Sequence, residues 1–267
     1  MPELPEVETI VRGIRPELIG NTILSADLLW ARALATPSAK QFKRQVQGQK
    51  VKDVTRRAKY LDIALKDFHL LMHLRMSGDI MIRQSKTEPE KHDRLLLHLS
   101  NRKYLAFNDT RKFGRVWFTK DPGSVLARLG PEPLESGFTS KWLFENLRKR
   151  KRQLKPLLLD QTFIAGLGNI YTDECLHMAK LHPLALSNDL SQKQAEALCE
   201  AIQSVLKEGI RRNGASIDWV YRGGDYQNYF RVYDRAGGPC LACGTEIQRL
   251  TVGQRGTHVC PKCQRLR

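Results

Sequence analysis

The sequence predicts an α+β protein of more than one domain, and three observations carry that expectation. Short β-rich segments fill residues 22–120, apolar residues recur at helical spacing between 140 and 212, and four of the six cysteines crowd into the last thirty positions. A chain of 267 residues can bury two or three small cores.

Val7, Ile10, Val11, Ile14 and Leu18 fall on one helical face, so the chain opens as a loop that becomes an amphipathic helix ending near Gly20. The segments "TILSADLLW", "KYLDIALK", "DIMIRQ", "RLLLHLS", "KYLAFND" and "GRVWFTK" follow, split by Gly, Asn, Asp or Pro, and read as a β-sandwich or barrel. "LGPEPLESGFTS" (129–140) breaks that pattern and reads as a linker. Helices are expected around "KWLFENLRKRKRQL" and "NIYTDECLHMAKL", and over 191–212. There Ser191 and Gln194 form a capping box before Ala195, Leu198, Ile202, Val205, Leu206 and Ile210. Cys175 and Cys199 stand alone inside helical patterns and are expected as buried packing. After the Gly-rich stretch "RNGASIDWVYRGGDYQN", read as a loop, comes the cysteine module. The expected domains are 1–130, a β-sandwich with its N-terminal helix; 131–228, helical; and 229–267, a cysteine-bearing hairpin.

Cys240-x2-Cys243 and Cys260-x2-Cys263, sixteen residues apart, have the spacing of a four-thiolate zinc ribbon. Two disulfides are the alternative, disfavoured by the lack of a secretory signal. Four protein ligands would leave the metal no open position, so one structural zinc is expected and catalysis must lie elsewhere. Lys and Arg number 44 against 28 Asp and Glu, a net +16, which points to a polyanionic partner. No apolar run approaches the roughly 18 residues of a bilayer span, and the first residues are acidic rather than basic. A cytoplasmic protein without a membrane partner is expected.

In "MPELPEVETI", Pro2 stands behind a removable methionine and would then carry a free secondary amine. An α-amino group with a pKa of about 7.7–8.0 is substantially neutral near pH 7 and can attack an aldehyde-level carbon, giving a cationic iminium that serves as an electron sink. Glu3 beside it is a potential acid. Read alone, the pair is better taken as an ordinary N-terminus. Arg255, framed by Gly253 and Gly256, could fork onto a phosphate or be a solvated turn residue.

Taken together and in order, "PELPEVET", "RRAKYL" (56–61), "HLRMSG" (73–78), "DTRKFG" (109–114), "LGPEPL" (129–134), "GLGNIYTDE" (166–174) and the terminal cysteines resemble the bacterial formamidopyrimidine-DNA glycosylases over essentially the whole chain. The resemblance implies a helix-two-turn-helix element in the middle domain. It also implies excision of oxidised purines from duplex DNA, chiefly 8-oxoguanine and formamidopyrimidines opposite cytosine, followed by β,δ-elimination. Pro2 would attack C1′, Glu3 would protonate the sugar ring oxygen, Lys59 would transfer a proton in β-elimination, and Arg255 would assist δ-elimination and hold phosphates. Met76 would fill the hole left by the flipped nucleotide, Phe113 would wedge beside it, and Arg111 would bond the estranged cytosine. Asn169 and Tyr171 would meet phosphates, and His92, Arg150, Lys155 and Tyr233 would touch DNA. Cys240, Cys243, Cys260 and Cys263 would hold the zinc. A monomer bound to the nucleoid through DNA is the default. Two alternatives stand beside this: an endonuclease VIII-like enzyme for oxidised pyrimidines, and a non-catalytic zinc-ribbon DNA-binding protein.

Overall fold

The computed structural model describes residues 1–216 and 223–266; the centre of the Gly-rich loop, 217–222, lies outside the described residues. The chain forms two compact units, Met1–Ala127 and a second holding Arg128–Ala215 with the chain from Gly224.

The first unit runs α1 (Leu4–Leu18), β1 (Ile23–Leu28), β2 (Leu34–Thr36), α2 (Ala39–Val46), β3 (Val51–Arg57), β4 (Tyr60–Leu65), β5 (His69–His73), β6 (Gly78–Gln84), β7 (Asp93–Leu99), β8 (Lys103–Asp109), β9 (Arg115–Thr119) and α3 (Gly123–Leu126). One sheet has the order β1-β7-β8-β6 and the other β2-β9-β5-β4-β3. All pairs are antiparallel except β2 with β9. A single core joins both sheets to α1: Val7, Ile10, Ile14 and Leu18 pack with Val54, Leu61 and Leu70 of one sheet and Leu97, Leu105 and Phe107 of the other. Each such side chain contributes about 1.5–3 kcal/mol of burial free energy. The apolar stripe read from the sequence is thus the side of α1 that closes the sandwich, which is the expected architecture.

The second unit contains α4 (Ser140–Arg148), α5 (Leu154–Leu158), α6 (Asn169–Met178), α7 (Gln192–Arg211), β10 (Gln248–Val252) and β11 (Arg255–Val259). Thr139 caps α4 by accepting from Trp142 N at 3.1 Å. The expected capping box starts α7: Gln194 N donates to Ser191 Oγ at 3.3 Å, and Ser191 N donates to Gln194 Oε1 at 2.9 Å. Cys175 and Cys199 are buried. The middle helix, α6, is unusual because Ile170 through His177 are all buried, including Asp173, Glu174 and His177. A helix that buries ionisable groups must give each of them partners, and those partners lie in the cysteine module and, for Asp173, also on α5.

Candidate functional site

In the first unit, Glu3 ends the N-terminal loop and starts α1, its N–H donating to Glu6 Oε2 at 2.7 Å. Pro2 is buried, and Glu3 and Glu6 are each 2% exposed. Helix α1 packs on β3, where Glu8 Oε2 lies 3.1 Å from Arg56 Nε. Just beyond Arg56 the chain turns through Ala58 in the left-handed region (φ 53°) and presents Lys59, which is itself buried. The sequence "RRAKYL" therefore makes a tight β3–β4 turn whose lysine sits under low-dielectric cover. His73 pairs across the sheet with Tyr60, the two rings edge to face at 4.7 Å. Burial, with the Arg75 and Lys59 cations nearby, pushes its pKa down to about 3. A neutral His73 then accepts the Arg75 N–H through Nδ1 at 3.0 Å.

The tracts "HLRMSG" and "DTRKFG" become neighbours through strand register, since Gly78 at the start of β6 pairs with Asp109 at the end of β8. Asp109, 1% exposed, joins them. One carboxylate oxygen accepts from Ser77 Oγ and from Arg111 N at 3.2 Å, while the other accepts Gly114 N at 2.7 Å. Arg111 N also donates to Ser77 Oγ at 3.0 Å. The glycines are sterically required: a Cβ at Gly78 would lie 2.5 Å from Leu74 O, and one at Gly114 would lie 2.2 Å from the Phe107 ring. Held in this way, Met76 and Phe113 stand 42% and 49% exposed, and the Arg111 guanidinium lies 5.0 Å from the Phe113 ring centre. The carbonyl of half-buried His92 accepts the Asp109 N–H at 2.9 Å, at the foot of the same loop.

In the second unit, β10 and β11 form a two-residue hairpin whose Gly253 and Gln254 both have positive φ (54° and 61°), leaving Arg255 exposed beside the turn. The Gly256 carbonyl is gripped by Asn169 Nδ2 and by Lys155 Nζ, each at 3.0 Å. Lys155 also meets Asp173 Oδ1 at 2.5 Å, both side chains fully buried, and Asp173 Oδ2 accepts His258 N at 2.9 Å. Asn169, Tyr233, Arg249, Gly256 and His258 line one cleft of about 400 Å³. Glu174, next along α6, accepts the N–H groups of Arg231, Val232 and Tyr233 at 2.9–3.0 Å.

Two of the expected DNA contacts have buried side chains. Lys155 has no exposed surface and donates to Asp173 and Gly256, which ties it to the hairpin. Tyr171 is likewise fully buried, its ring stacked on Tyr226 at 5.2 Å. Arg150 is half-buried, donating to Asn146 O at 2.8 Å and lying 5.0 Å from the Phe163 ring centre. Ser77, Asp109, Asp173 and Glu174 were given no role in the sequence reading, although all four lie inside motif tracts.

The Sγ atoms of Cys240, Cys243, Cys260 and Cys263 all lie within 4.8 Å of one another. Each pair sits in a turn closed by a backbone bond, Gly244 N to Cys240 O at 2.8 Å and Gln264 N to Cys260 O at 2.9 Å. Four converging sulfurs fit a closed structural zinc site, and the chain holds one structural zinc there. His177 Nε2 lies 3.3 Å from Cys240 Sγ.

Three family profiles match in order: the formamidopyrimidine-DNA glycosylase N-terminal domain at 1–116, the formamidopyrimidine-DNA glycosylase H2TH domain at 129–220, and the zinc finger found in FPG and IleRS at 237–266. The formamidopyrimidine-DNA glycosylase of Protochlamydia amoebophila is 42% identical over 275 residues, covering 99% of this chain and all of the relative. That of Chloroflexus aurantiacus is 44% identical over 272 residues, covering 99% and 98%. Among solved structures, Lactococcus lactis Fpg (MutM) in complex with DNA containing N7-benzyl-Fapy-dG superposes with a TM-score of 0.94 at 38% identity, covering 99% of this chain and all of that one. With the fold, the cysteine site and the ordered motifs all in agreement, the chain belongs to the formamidopyrimidine-DNA glycosylase family.

Proposed function

We propose that the chain is a base-excision repair enzyme that removes oxidised purines, 8-oxoguanine and formamidopyrimidines, from duplex DNA and then cleaves the backbone at the vacated sugar. Family membership over the full length favours this over the endonuclease VIII-like and non-catalytic alternatives. The observation that carries it is the pair of exposed apolar side chains, Met76 and Phe113, on adjoining loops anchored by one buried aspartate. Exposed large apolar groups held this firmly fit insertion into a base stack.

With Met1 removed, the Pro2 nitrogen would add to C1′ of the damaged nucleotide as the bond to the base breaks, and Glu3 would give a proton to the ring oxygen as the sugar opens. The resulting iminium acidifies C2′. Loss of that proton, assisted by Lys59, expels the 3′ phosphate, and a second elimination assisted by Arg255 expels the 5′ phosphate. Lys59 is buried at the β3–β4 turn, where an amine held in place suits a proton-transfer role. Met76, Phe113 and Arg111 would occupy the vacated stack and bond the cytosine opposite. His92, Asn169, Tyr171, Tyr233, Arg150 and Lys155 remain proposed DNA contacts. The functional parts would be 1–130, 131–228 and 229–267, with the enzyme acting as a cytoplasmic monomer.

Among the described residues no helix is long and apolar enough to cross a membrane. The test is borohydride trapping on a duplex carrying 8-oxoguanine opposite cytosine. Mature wild type should give a lesion-dependent covalent adduct, Pro2→Gly, which keeps a primary α-amine, should trap less of it, and a form retaining Met1, whose Pro2 nitrogen is acylated, should give none. Zinc-loaded, correctly processed protein that binds the duplex yet never traps would leave only a DNA-binding function.

A further inference from the structure

Residues 29–32, between β1 and β2, belong to neither sheet's regular ladder, yet they are tied to the loop that carries Arg111 and Phe113 at three points. The N–H groups of Leu29 and Trp30 both donate to Arg94 O, at 2.9 and 3.1 Å, while Arg94 Nε donates to Asp109 O at 2.8 Å. Arg94, 8% exposed, thus bridges the segment to the foot of the loop. The Lys112 ammonium sits 4.2 Å from the centre of the Trp30 ring, with the Arg32 guanidinium carbon 5.8 Å away. Finally, the Arg115 guanidinium donates to Arg32 O.

Lys112 lies between Arg111 and Phe113 and has φ 59°, a left-handed conformation that a non-glycine residue keeps only where its surroundings hold it. A tryptophan face is the strongest aromatic partner for a cation. With the Lys112 side chain drawn onto Trp30, the backbone on either side is fixed in the arrangement that leaves Arg111 and Phe113 exposed.

We propose that Trp30 is a positioning residue for the wedge loop: clasped by Lys112, it presets Arg111 and Phe113 before DNA arrives and so sharpens discrimination of the base opposite the lesion. This rests on the reading of Arg111 and Phe113 as the estranged-base and wedge side chains. A preset loop spares the ordering cost on binding, so the clasp acts on affinity and on opposite-base choice and leaves the chemical step alone.

The experiment uses full-length, zinc-loaded enzyme in single-turnover excision of 8-oxoguanine opposite cytosine and opposite adenine, comparing wild type with Trp30→Leu, Trp30→Phe, Lys112→Met and the Trp30→Leu/Lys112→Met double variant. Trp30→Leu should raise the half-saturating enzyme concentration on the cytosine duplex about two- to fivefold, the range of one exposed cation–aromatic pair, and shrink the cytosine-to-adenine preference by a similar factor. The saturated rate should stay unchanged. Trp30→Phe should recover most of the loss, and the double variant should be no worse than either single. An unchanged preference in Trp30→Leu, or losses that simply add in the double variant, would overturn the proposal. Equal weakening on lesion and undamaged duplexes would also overturn it, by making Trp30 a general DNA contact. Arg111→Ala separates the two levels: if it leaves the opposite-base preference intact, the wedge reading itself fails whatever Trp30 does.

Discussion

Removing the Lys155 ammonium should unfold the second unit more readily than its position in a run of surface-type basic residues would suggest. Lys155→Met deletes the ammonium that meets Asp173 Oδ1 at 2.5 Å and leaves a carboxylate with no exposed surface. Breaking a buried pair from one side costs about 3–5 kcal/mol, because the surviving charge stays desolvated. The same change takes one of the two side-chain donors from Gly256 O, leaving Asn169 Nδ2 alone to hold the turn beside Arg255. Pairing it with Asp173→Asn removes the stranded charge while keeping an acceptor for His258 N, so most of the loss should return. Urea unfolding of the full-length, zinc-loaded protein reads both effects. In parallel, product analysis of a trapped-site substrate should show Lys155→Met forming the borohydride adduct but yielding less δ-elimination product. A loss below about 1 kcal/mol for Lys155→Met, or a double variant no more stable than the single, would refute the reasoning, since an isolated surface cation is worth no more than that.

Two further outcomes follow from buried imidazoles. His73 has its pKa pushed from 6.5 to about 3, so between those values the unfolded chain takes up a proton that the folded chain refuses. Stability of the first unit should therefore fall as pH drops from 6.5 toward 3, by about 1.4 kcal/mol per unit from this group, with no contribution above 6.5. His73→Asn, which keeps an acceptor for Arg75 N, should flatten that slope by one proton in urea unfolding across pH 5–7. Identical slopes would rule it out. At the zinc site, His177→Phe removes the imidazole beside Cys240 Sγ and should hasten zinc transfer to a chelator about tenfold, the lower end of what outer partners of metal ligands contribute. An unchanged transfer rate would show the contact to be incidental.

The sequence pattern disclosed the elements whose apolar residues keep a clear period and the side chains that reach outward. Six of the quoted segments became β1, β4, β6, β7, β8 and β9, while β2, β3, β5 and α2 went unread. β3, "VKDVTRR", buries only Val51 and Val54 and looks like a polar loop. β5, "HLLMH", is a short continuous run that shows no alternation. α2 owes its start to Ser38 accepting Gln41 N at 3.4 Å and buries only Phe42 and Val46. The burial of Lys155 and Tyr171 was illegible for a related reason. "RKRKRQLK" carries no mark distinguishing the one cation that turns inward, because that depends on an aspartate 18 positions away on another helix. The four cysteines were fully legible because their ligand geometry is local to each Cys-x-x-Cys turn.

The two units answer the same mechanical problem with the same residue type. Reaching side chains such as Arg111, Phe113 and Arg255 must stand exposed, and an exposed loop has few contacts of its own to fix it. A carboxylate only accepts, with roughly four lone-pair sites on two oxygens, so one buried aspartate can gather donors from several segments at once. Asp109 collects Ser77, Arg111 and Gly114. Asp173 collects Lys155 and His258. Because an unpaired buried charge is so costly, the aspartate enforces its donors' positions as strongly as they satisfy it. Stiffness is thereby lent from the core to loops that cannot generate it. Substituting a reaching residue should then alter DNA recognition with stability intact, whereas substituting either aspartate must alter both together.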